Sequence, residues 1–302
     1  MAALVAVGAR NVLPTNEVIR LSPDRRLWLV ETGTIDVFAV EKDDEGRLGR
    51  RHHLHSVTGP GLMAGMGQGV DAPADVEMLA VSRGASLVSL DPDILGSSPV
   101  STTVQTPLAW LLDRWIEGMG TGLVRNFAPR SAHSLPLSAG GSVTPPEGSV
   151  VAGHKGVIWA HLTAGSGRYM GIADLTADGI SMIPLSPETW LAPMDGLTVT
   201  GYGSPGLLST ANWWRHVQTF HDAYLLCLGL SLDNQRKMEG WRLEKRAGKI
   251  ADALGTTFGR FARLVGVSTE ATHGTGPDNA LAVACAIACR PLWQLQPLLC
   301  QR

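Results

Sequence analysis

The sequence predicts an α+β protein in which two small β-rich barrel domains are each followed by helices. Short apolar or alternating runs, separated by glycine and proline, fill residues 1–100 and return after residue 150. This pattern is typical of sandwiches and barrels. Between the two regions, and again after residue 209, the apolar residues recur at steps of three and four, which indicates helices. The chain has 302 residues, 44% of them hydrophobic, which is enough for about two modest cores.

The first β region contains two pairs of strand-like runs, and a glycine divides each pair. Residues 27–30 and 35–40 flank Gly33, where we expect a hairpin, and Gly84 divides residues 78–90 in the same way. A helix is predicted over residues 104–126. The apolar residues on its predicted buried face are Leu108, Leu111, Leu112, Trp115, Ile116, Met119 and Leu123.

The second β region follows a segment, residues 128–148, that is rich in Pro, Ser and Gly and is interpreted as the loop between domains. After its strands, one helix is expected from a cap near Ser209 past Leu232, and another from about Trp241 to Val265. The last of these carries Leu243, Ile250, Leu254, Phe258, Phe261 and Val265 on one side.

These elements divide the chain into three parts. Residues 1–127 form the first barrel and its helix, residues 128–208 the second barrel, and residues 209–302 the helical C-terminal region. Trp28 precedes Gly33 in the first half much as Trp159 precedes Gly165 in the second. The order of elements therefore indicates a tandem duplication of architecture.

The charge balance gives no reason to expect nucleic acid, since the net charge is −2. One stretch departs from this balance: residues 242–263 carry six basic side chains, interpreted as a solvated helix face. All four cysteines lie in the last quarter, which favours a reducing compartment. The N-terminal residues lack the basic region of a signal peptide, and no apolar run approaches the roughly 20 residues needed to cross a bilayer. We therefore expect a cytoplasmic protein.

Three histidines follow two arginines in residues 50–55. Side chains alternate along a strand, so His53 and His55 are expected to share a face and His52 to point the other way. Two imidazoles on one face supply half of a metal site in cupin-type folds, but the sequence shows no carboxylate and third histidine to complete it. We assign no metal here and predict that Arg51, His53 and His55 bind a ligand or partner.

The other histidines and cysteines give weaker patterns. Cys285 and Cys289 are four apart, and buried reduced thiols are favoured over a zinc site completed by Cys300 and His273. His216 and His221 are five apart on a helix and are interpreted as surface or core-edge residues.

The motifs of common catalytic sites are missing from the sequence. Residues 253–260 lack the lysine and the spacing of a phosphate-binding loop, and neither G-x-S-x-G nor H-E-x-x-H occurs. We predict no catalytic residue and no cofactor, and hence a protein that is not an enzyme.

Two long phrases carry a resemblance to a known family. Residues 27–40 read LWLVETGTIDVFAV and are followed by GRRHHL, while the second half contains KGVIW and PLSPETWL. These segments resemble the N-terminal region of the bacterial ABC transporters that export bacteriocin-like ribosomal peptides with nitrile-hydratase-type leaders. The resemblance covers most of residues 20–290.

The resemblance implies cyclic-nucleotide-binding-like domains, that is, double-stranded β-helices or jelly rolls. Such domains hold the cyclic phosphate with a Gly-Glu pair and an Arg, whereas residues 59–70 contain neither Glu nor Arg. An anionic ligand would lack its charge-assisted hydrogen bonds there, so we expect the barrel without the nucleotide.

The function implied by the resemblance is that of a non-catalytic accessory region of the exporter. It would dock a leader peptide or transporter subunits, associate with the inner membrane through the transporter, and form a homodimer through the helices after residue 209. The chain ends before any membrane span or ATPase motif, so transport itself is not expected of it. Two alternatives stay open: a stand-alone small-ligand sensor of the cyclic-nucleotide type, and a metal-dependent cupin-like enzyme using His53 and His55.

Overall fold

The structure is a computed structural model that describes residues 8–22, 26–42, 45–67, 76–91, 100–124, 133–177 and 182–264, with backbone alone for residues 238–244 and 254–264. It contains two antiparallel-rich sheets and a small number of helices, which confirms the α+β class. The chain divides into two compact units, residues 1–233 and 234–302. The predicted three-part division at residues 127 and 208 stays a prediction.

Among its described residues, the first repeat contains five strands and a helix. They are β1 (Ala9–Arg20), β2 (Leu27–Lys42), β3 (Leu48–Thr58), β4 (Gly61–Ala64), β5 (Val76–Leu90) and α1 (Thr102–Val124). The long strand β2 pairs with β5 along its whole length, and β1 covers the far edge of β5. On its other edge, β2 pairs with β4 near its start and with β3 near its end.

In the part of the second repeat that the structure describes, there are seven strands and two helices. They are β6 (Ser134–Leu137), β7 (Ser142–Val143), β8 (Val150–Gly153), β9 (Ile158–Tyr169), β10 (Ala173–Thr176), β11 (Met182–Leu185), β12 (Trp190–Tyr202), α2 (Ser204–Leu208) and α3 (Trp213–Leu264). Strands β6 and β7 lie within residues 128–148, which the sequence pattern predicts as the loop between domains, so that prediction is wrong for residues 134–137 and 142–143. The four-residue β6 runs parallel to β8 and accommodates Pro136, because a short strand of this kind needs few ladder hydrogen bonds.

The two repeats share one strand order, as the duplication hypothesis requires. In the second repeat, β9 pairs with β12 along its length, with β11 near its start and with β10 near its end, as β2 does with β5, β4 and β3. Trp28 and Trp159 are each the second residue of the long strand, and they pair with Met63 and Pro184, each the third residue of the short strand.

The predicted hairpin at Gly33 is wrong, because residues 27–42 form one continuous strand. Gly33 has φ of +83° inside that strand, and a Cβ there would lie 2.0 Å from the carbonyl oxygen of Gly84 on the neighbouring strand. In the second repeat, Gly165 has φ of +71°, and a Cβ would lie 2.0 Å from the carbonyl oxygen of Asp195. Glycine thus allows each long strand to bend where two backbones approach closely.

Helix α1 packs between the strands of the first repeat and those of the second, inside the first compact unit. On one side, Gly118 and Gly122 leave room for His55 and Leu54 of β3. On the opposite side, Gly120 faces Ser186 of the second repeat. The buried side chains of both repeats and of α1 therefore join in one continuous core.

Helix α3 is one helix of 52 residues, although two were predicted. The stretch between residues 233 and 240 contains polar residues with good helix propensity and a single glycine, so nothing in it ends a helix. In the part of the chain that the structure describes, no helix is long and apolar enough to cross a membrane.

Candidate functional site

A short backbone segment after β4 is held by side chains of α3. The side-chain amide of Gln218 donates to the carbonyl oxygen of Gly65 and accepts from the backbone N–H of Gly67, both at 3.3 Å. Met66, which lies between them, is fully buried, and its N–H donates to Leu21 at 2.7 Å. One side chain of the helix therefore replaces the strand partner that this backbone would otherwise need.

Beside this clamp, three rings connect the first repeat to α3. The indole of Trp115 on α1 donates to Nε2 of His221 at 3.2 Å and packs edge-on against His55, with ring centroids 5.2 Å apart. Complete burial lowers the pKa of His221 to about 3, so its imidazole is neutral. Because Nε2 accepts a hydrogen bond, the proton of the neutral ring is assigned to Nδ1.

On its other side, α3 contacts the second repeat. Phe220 packs against Tyr169 of β9, with ring centroids 6.4 Å apart, and Cys227 donates from Sγ to the carbonyl oxygen of Tyr169 at 3.7 Å. Burial raises the pKa of Cys227 to about 12, so its thiol stays protonated and unreactive. The first part of α3 thus packs against the first repeat and against strand β9 of the second repeat.

The corresponding place in the second repeat is a four-residue turn between β11 and β12, residues 186–189. The turn is closed by its own hydroxyls: Thr189 Oγ1 accepts from the N–H of Ser186 at 2.8 Å, and Ser186 Oγ accepts from the N–H groups of Glu188 and Thr189 at 3.2 Å. With its backbone N–H groups satisfied internally, this turn has little need of a helix to hold it.

A buried polar chain runs from β9 through α2 to α1. The indole of Trp159 donates to Ser204 Oγ at 2.9 Å, and Ser204 donates in turn to a carboxylate oxygen of Asp113. Burial raises the pKa of Asp113 to about 6; the hydrogen bond from Ser204 opposes the rise, and the nearby charge of Glu117 adds to it. Glu117 also lines a cleft of about 230 Å³ with Thr121, Ser186, Pro187 and Glu188.

The predicted site residues lie on β3, but they do not form one surface. Val37 pairs with His55 and Phe38 with His53, so Leu54 is an extra residue, or bulge, in β3. The bulge reverses the alternation of side chains, and the expectation that His53 and His55 share a face is wrong. The ring nitrogens of His55 are buried beneath α1, whereas Arg51 and His53 are exposed.

His53 instead belongs to a polar cluster around Asp36. Ser56 and Arg83 donate to the Asp36 carboxylate at 2.6 and 2.5 Å, and Nε2 of His53 lies 3.7 Å from it. Burial favours the neutral carboxyl, but these hydrogen bonds outweigh it and lower the pKa of Asp36. The cluster links three strands, β2, β3 and β5, and that His53 binds a ligand or partner stays a prediction.

The separation of His53 from His55 removes the geometry on which the cupin-like alternative depended. Across the described parts of the chain, no group of three or more His, Cys, Asp or Glu residues is placed to hold a metal ion. The predicted thiol pair Cys285 and Cys289, with Cys300 and His273, lies outside the described residues. His216 and His221, interpreted as surface or core-edge residues, are both buried.

Sequence reasoning missed the residues that connect the elements, namely Gln218, His221, Asp113 and Ser204. Their neighbours in sequence are not uniformly apolar, since residues 213–221 read WWRHVQTFH and Asp113 is followed by Arg114, so local composition does not single these residues out. A polar residue within an apolar helical pattern is a signal for a buried hydrogen bond, but its partner is distant in sequence and cannot be read from the pattern.

Comparison with models of protein families gives no match. Comparison with curated proteins gives none either. Part of the chain is similar to solved structures. Oxidized CprK in complex with o-chlorophenolacetic acid is 10% identical over 41% of this chain and 48% of its own, with a TM-score of 0.29. The c-di-GMP responsive global regulator CLP of Xanthomonas campestris is 18% identical over 40% of this chain and 55% of its own, with a TM-score of 0.26.

A cyclic nucleotide-binding-like protein from Brucella abortus is 21% identical over 30% of this chain and 76% of its own, with a TM-score of 0.22. The chain spans about half the length of CprK and CLP. At such TM-scores these likenesses say nothing about function, and the fold class is established by the strand order itself. The resemblance to peptide exporters finds no support in these comparisons.

Proposed function

We propose that this chain is a non-catalytic sensor of a small ligand, in which the segment after β4 responds to the ligand and α3 passes the response on. The observation that carries the proposal is the pair of hydrogen bonds between the amide of Gln218 and the backbone of Gly65 and Gly67. Any rearrangement of that segment must break or remake this pair, because one planar amide joins a donor and an acceptor two residues apart.

The packing around the clamp supports transmission to a second surface. His221, three residues further along α3, contacts Trp115 of α1, and α1 in turn contacts both repeats. A shift of α3 at Gln218 therefore changes the environment of α1. A ligand that prefers one of two arrangements of this segment would shift the population of both helices.

The class of ligand is tested by calorimetry with four probes: cyclic AMP, cyclic GMP, cyclic di-GMP and o-chlorophenolacetic acid. Residues 59–70 contain neither Glu nor Arg, so we expect the uncharged part of a ligand to dominate its recognition and the two cyclic mononucleotides to bind weakly. Micromolar binding of cyclic AMP or cyclic GMP would contradict this expectation about the ligand, though not the role of a sensor.

The coupling is tested by hydrogen exchange on the full chain with the probe that binds best. We expect the ligand to change protection both near residues 61–67 and along residues 213–232 of α3. In Gln218→Leu, binding should persist while the response of α3 is lost. Gln105→Leu is the matched control, because Gln105 also donates twice from its amide, but to Pro205 and Ser209 and not to the segment. The sensor proposal is wrong if the ligand still changes the hydrogen-exchange protection of α3 in both variants. It is also wrong if no probe changes the protection of α3 in the unmodified chain.

Docking of a leader peptide or of transporter subunits stays a prediction, with Arg51 and His53 as its exposed candidates. A pull-down with an immobilised leader peptide tests it directly. Equal capture by a scrambled leader would count against the docking function and would leave the hydrogen-exchange test unaffected.

A further inference from the structure

The two compact units carry opposite charge. Residues 1–233 contain 15 Lys and Arg against 22 Asp and Glu, a net of −7, whereas residues 234–302 contain 10 against 5, a net of +5. The second unit is therefore clearly positive, although the whole chain has a net charge of −2. It indicates a partner that carries negative charge.

The described part of the positive unit belongs to α3, and one stretch of it is exposed throughout. All six residues from 245 to 250 are exposed, and Ile250 is 52% accessible. Six consecutive residues cover more than one full turn of about 3.6 residues, so solvent reaches every side of the helix there. Lys245, Arg246 and Lys249 are among these exposed residues.

The sequence of this continuous helix has two distinct sides. At about 100° per residue, positions 243, 250, 254, 258 and 261, which are Leu, Ile, Leu, Phe and Phe, fall on one side. The basic positions, which are Arg242, Lys245, Arg246, Lys249, Arg260 and Arg263, fall in a neighbouring sector of about 100°. A helix with this pattern is unstable as a lone element in water and gains stability when its apolar side is covered.

We propose that this stretch of α3 binds an anionic lipid surface. The helix would lie in the headgroup layer, with the apolar side towards the acyl chains and the basic side against lipid phosphates. A nucleic acid would satisfy the charge but would give the exposed side chain of Ile250 no apolar partner. A second copy would cover the apolar side but bring two units of charge +5 together. A lipid surface satisfies both requirements at once.

The test is co-sedimentation of the full chain with vesicles of phosphatidylglycerol and phosphatidylcholine, against vesicles of phosphatidylcholine alone. We expect binding to the anionic vesicles that weakens as salt is added. The triple variant Lys245→Gln, Arg246→Gln, Lys249→Gln should bind about 100-fold more weakly, since each basic residue near such a surface strengthens binding by roughly fivefold. Ile250→Ser, which leaves the charge unchanged, should also weaken binding.

The matched control is Arg47→Gln, Arg50→Gln, Lys155→Gln, which removes the same charge from exposed positions of the other unit. Its vesicle binding should equal that of the unmodified chain. Equal losses in the two triple variants would show attraction by net charge alone and would overturn the proposal. Absence of binding to anionic vesicles would overturn it too. Binding to duplex DNA, or self-association in sedimentation velocity, would then identify the partner of the basic stretch. None of these results depends on the sensor function.

Discussion

The two repeats follow one strand order, yet the connection after the short strand, β4 in the first repeat and β11 in the second, is stabilised in different ways. In the second repeat, residues 186–189 form a turn whose backbone N–H groups are satisfied by the hydroxyls of Ser186 and Thr189. In the first repeat, the backbone at Gly65 and Gly67 is satisfied by Gln218, a residue more than 150 positions away. One connection is therefore stabilised by its own side chains, and the other by a side chain of α3.

This difference indicates which of two duplicated connections can be coupled to the movement of a helix. A turn that pairs its own N–H groups keeps its shape whatever its neighbours do. A segment that depends on a side chain of a helix keeps its shape only while the helix stays in place, and the dependence is mutual. Under the proposed sensor function, the second repeat would provide the fixed surface against which α1 and α3 pack, and the first repeat would be the one that transmits a change.

The largest expected effect concerns a feature that the repeats share. In Gly33→Ala and Gly165→Ala, the new Cβ would lie 2.0 Å from a carbonyl oxygen of the neighbouring strand, at a φ of +83° or +71°. We expect each variant to lose about 4 kcal/mol of unfolding free energy, from overpacking and left-handed strain together. Urea unfolding followed by circular dichroism measures the loss.

The glycines opposite these positions provide the control. Gly84 has only the Thr15 hydroxyl at 3.7 Å from a built Cβ, and Gly196 has nothing within 4 Å, although both have positive φ. Gly84→Ala and Gly196→Ala should therefore cost only about 1 kcal/mol, for the left-handed backbone. If all four variants cost the same, close approach of the strands is not what these bends require.

Much of the fold could be predicted from the sequence because it follows from local pattern. The alternating runs and the helical period of α1 depend on neighbouring residues, and the recurrence of Trp and Gly indicated the duplication. What failed was the interpretation of glycine. The pattern around Gly33 predicts a hairpin, because a sequence shows that positive φ is allowed but not whether the strand continues beyond it.

The candidate site was less predictable, for a different physical reason. The faces assigned to His53 and His55 depended on regular alternation, and the single extra residue Leu54 reversed it. Gln218 and Asp113 act through partners 151 and 91 positions away, on Gly67 and Ser204. Such pairs are set by tertiary packing, which periodicity does not record.

His221 on α3 and Asp113 on α1 should make the stability of the chain change with pH in opposite directions. His221 on α3 has a pKa of about 3 in the folded chain, below the 6.5 of an unperturbed histidine. Below pH 6.5 the unfolded chain gains a proton that the folded chain does not, so stability falls as pH decreases from 6.5 towards 3, by about 1.4 kcal/mol per pH unit. The lowered pKa of His216 acts in the same direction.

The variant His221→Gln tests this slope. Its amide oxygen can still accept from Trp115, so we expect a fold that is retained at pH 7 and that loses about 2–3 kcal/mol less than the unmodified chain between pH 6.5 and 4.5. Urea unfolding at both pH values gives the comparison. Equal acid sensitivity of the two proteins would mean that His221 is not the residue that senses acid.

The smallest effect is expected at Asp113, where the slope has the opposite sign. The pKa of Asp113 in the folded chain, about 6, lies above the reference of 3.8, so the folded chain keeps a proton that the unfolded chain has lost. Stability therefore falls as pH rises from 3.8 to 6 and stays lower above it. Because Asp113 is partly open to solvent, we expect Asp113→Asn to be only about 1 kcal/mol more stable at pH 7.5 and no more stable at pH 4. Asp195→Asn, an exposed carboxylate on β12, is the control for the change in net charge. A variant at Asp113 that is less stable at pH 7.5 would show that the carboxylate is needed by Ser204, and that the buried chain from Trp159 to α1 stabilises the second repeat in its ionised form.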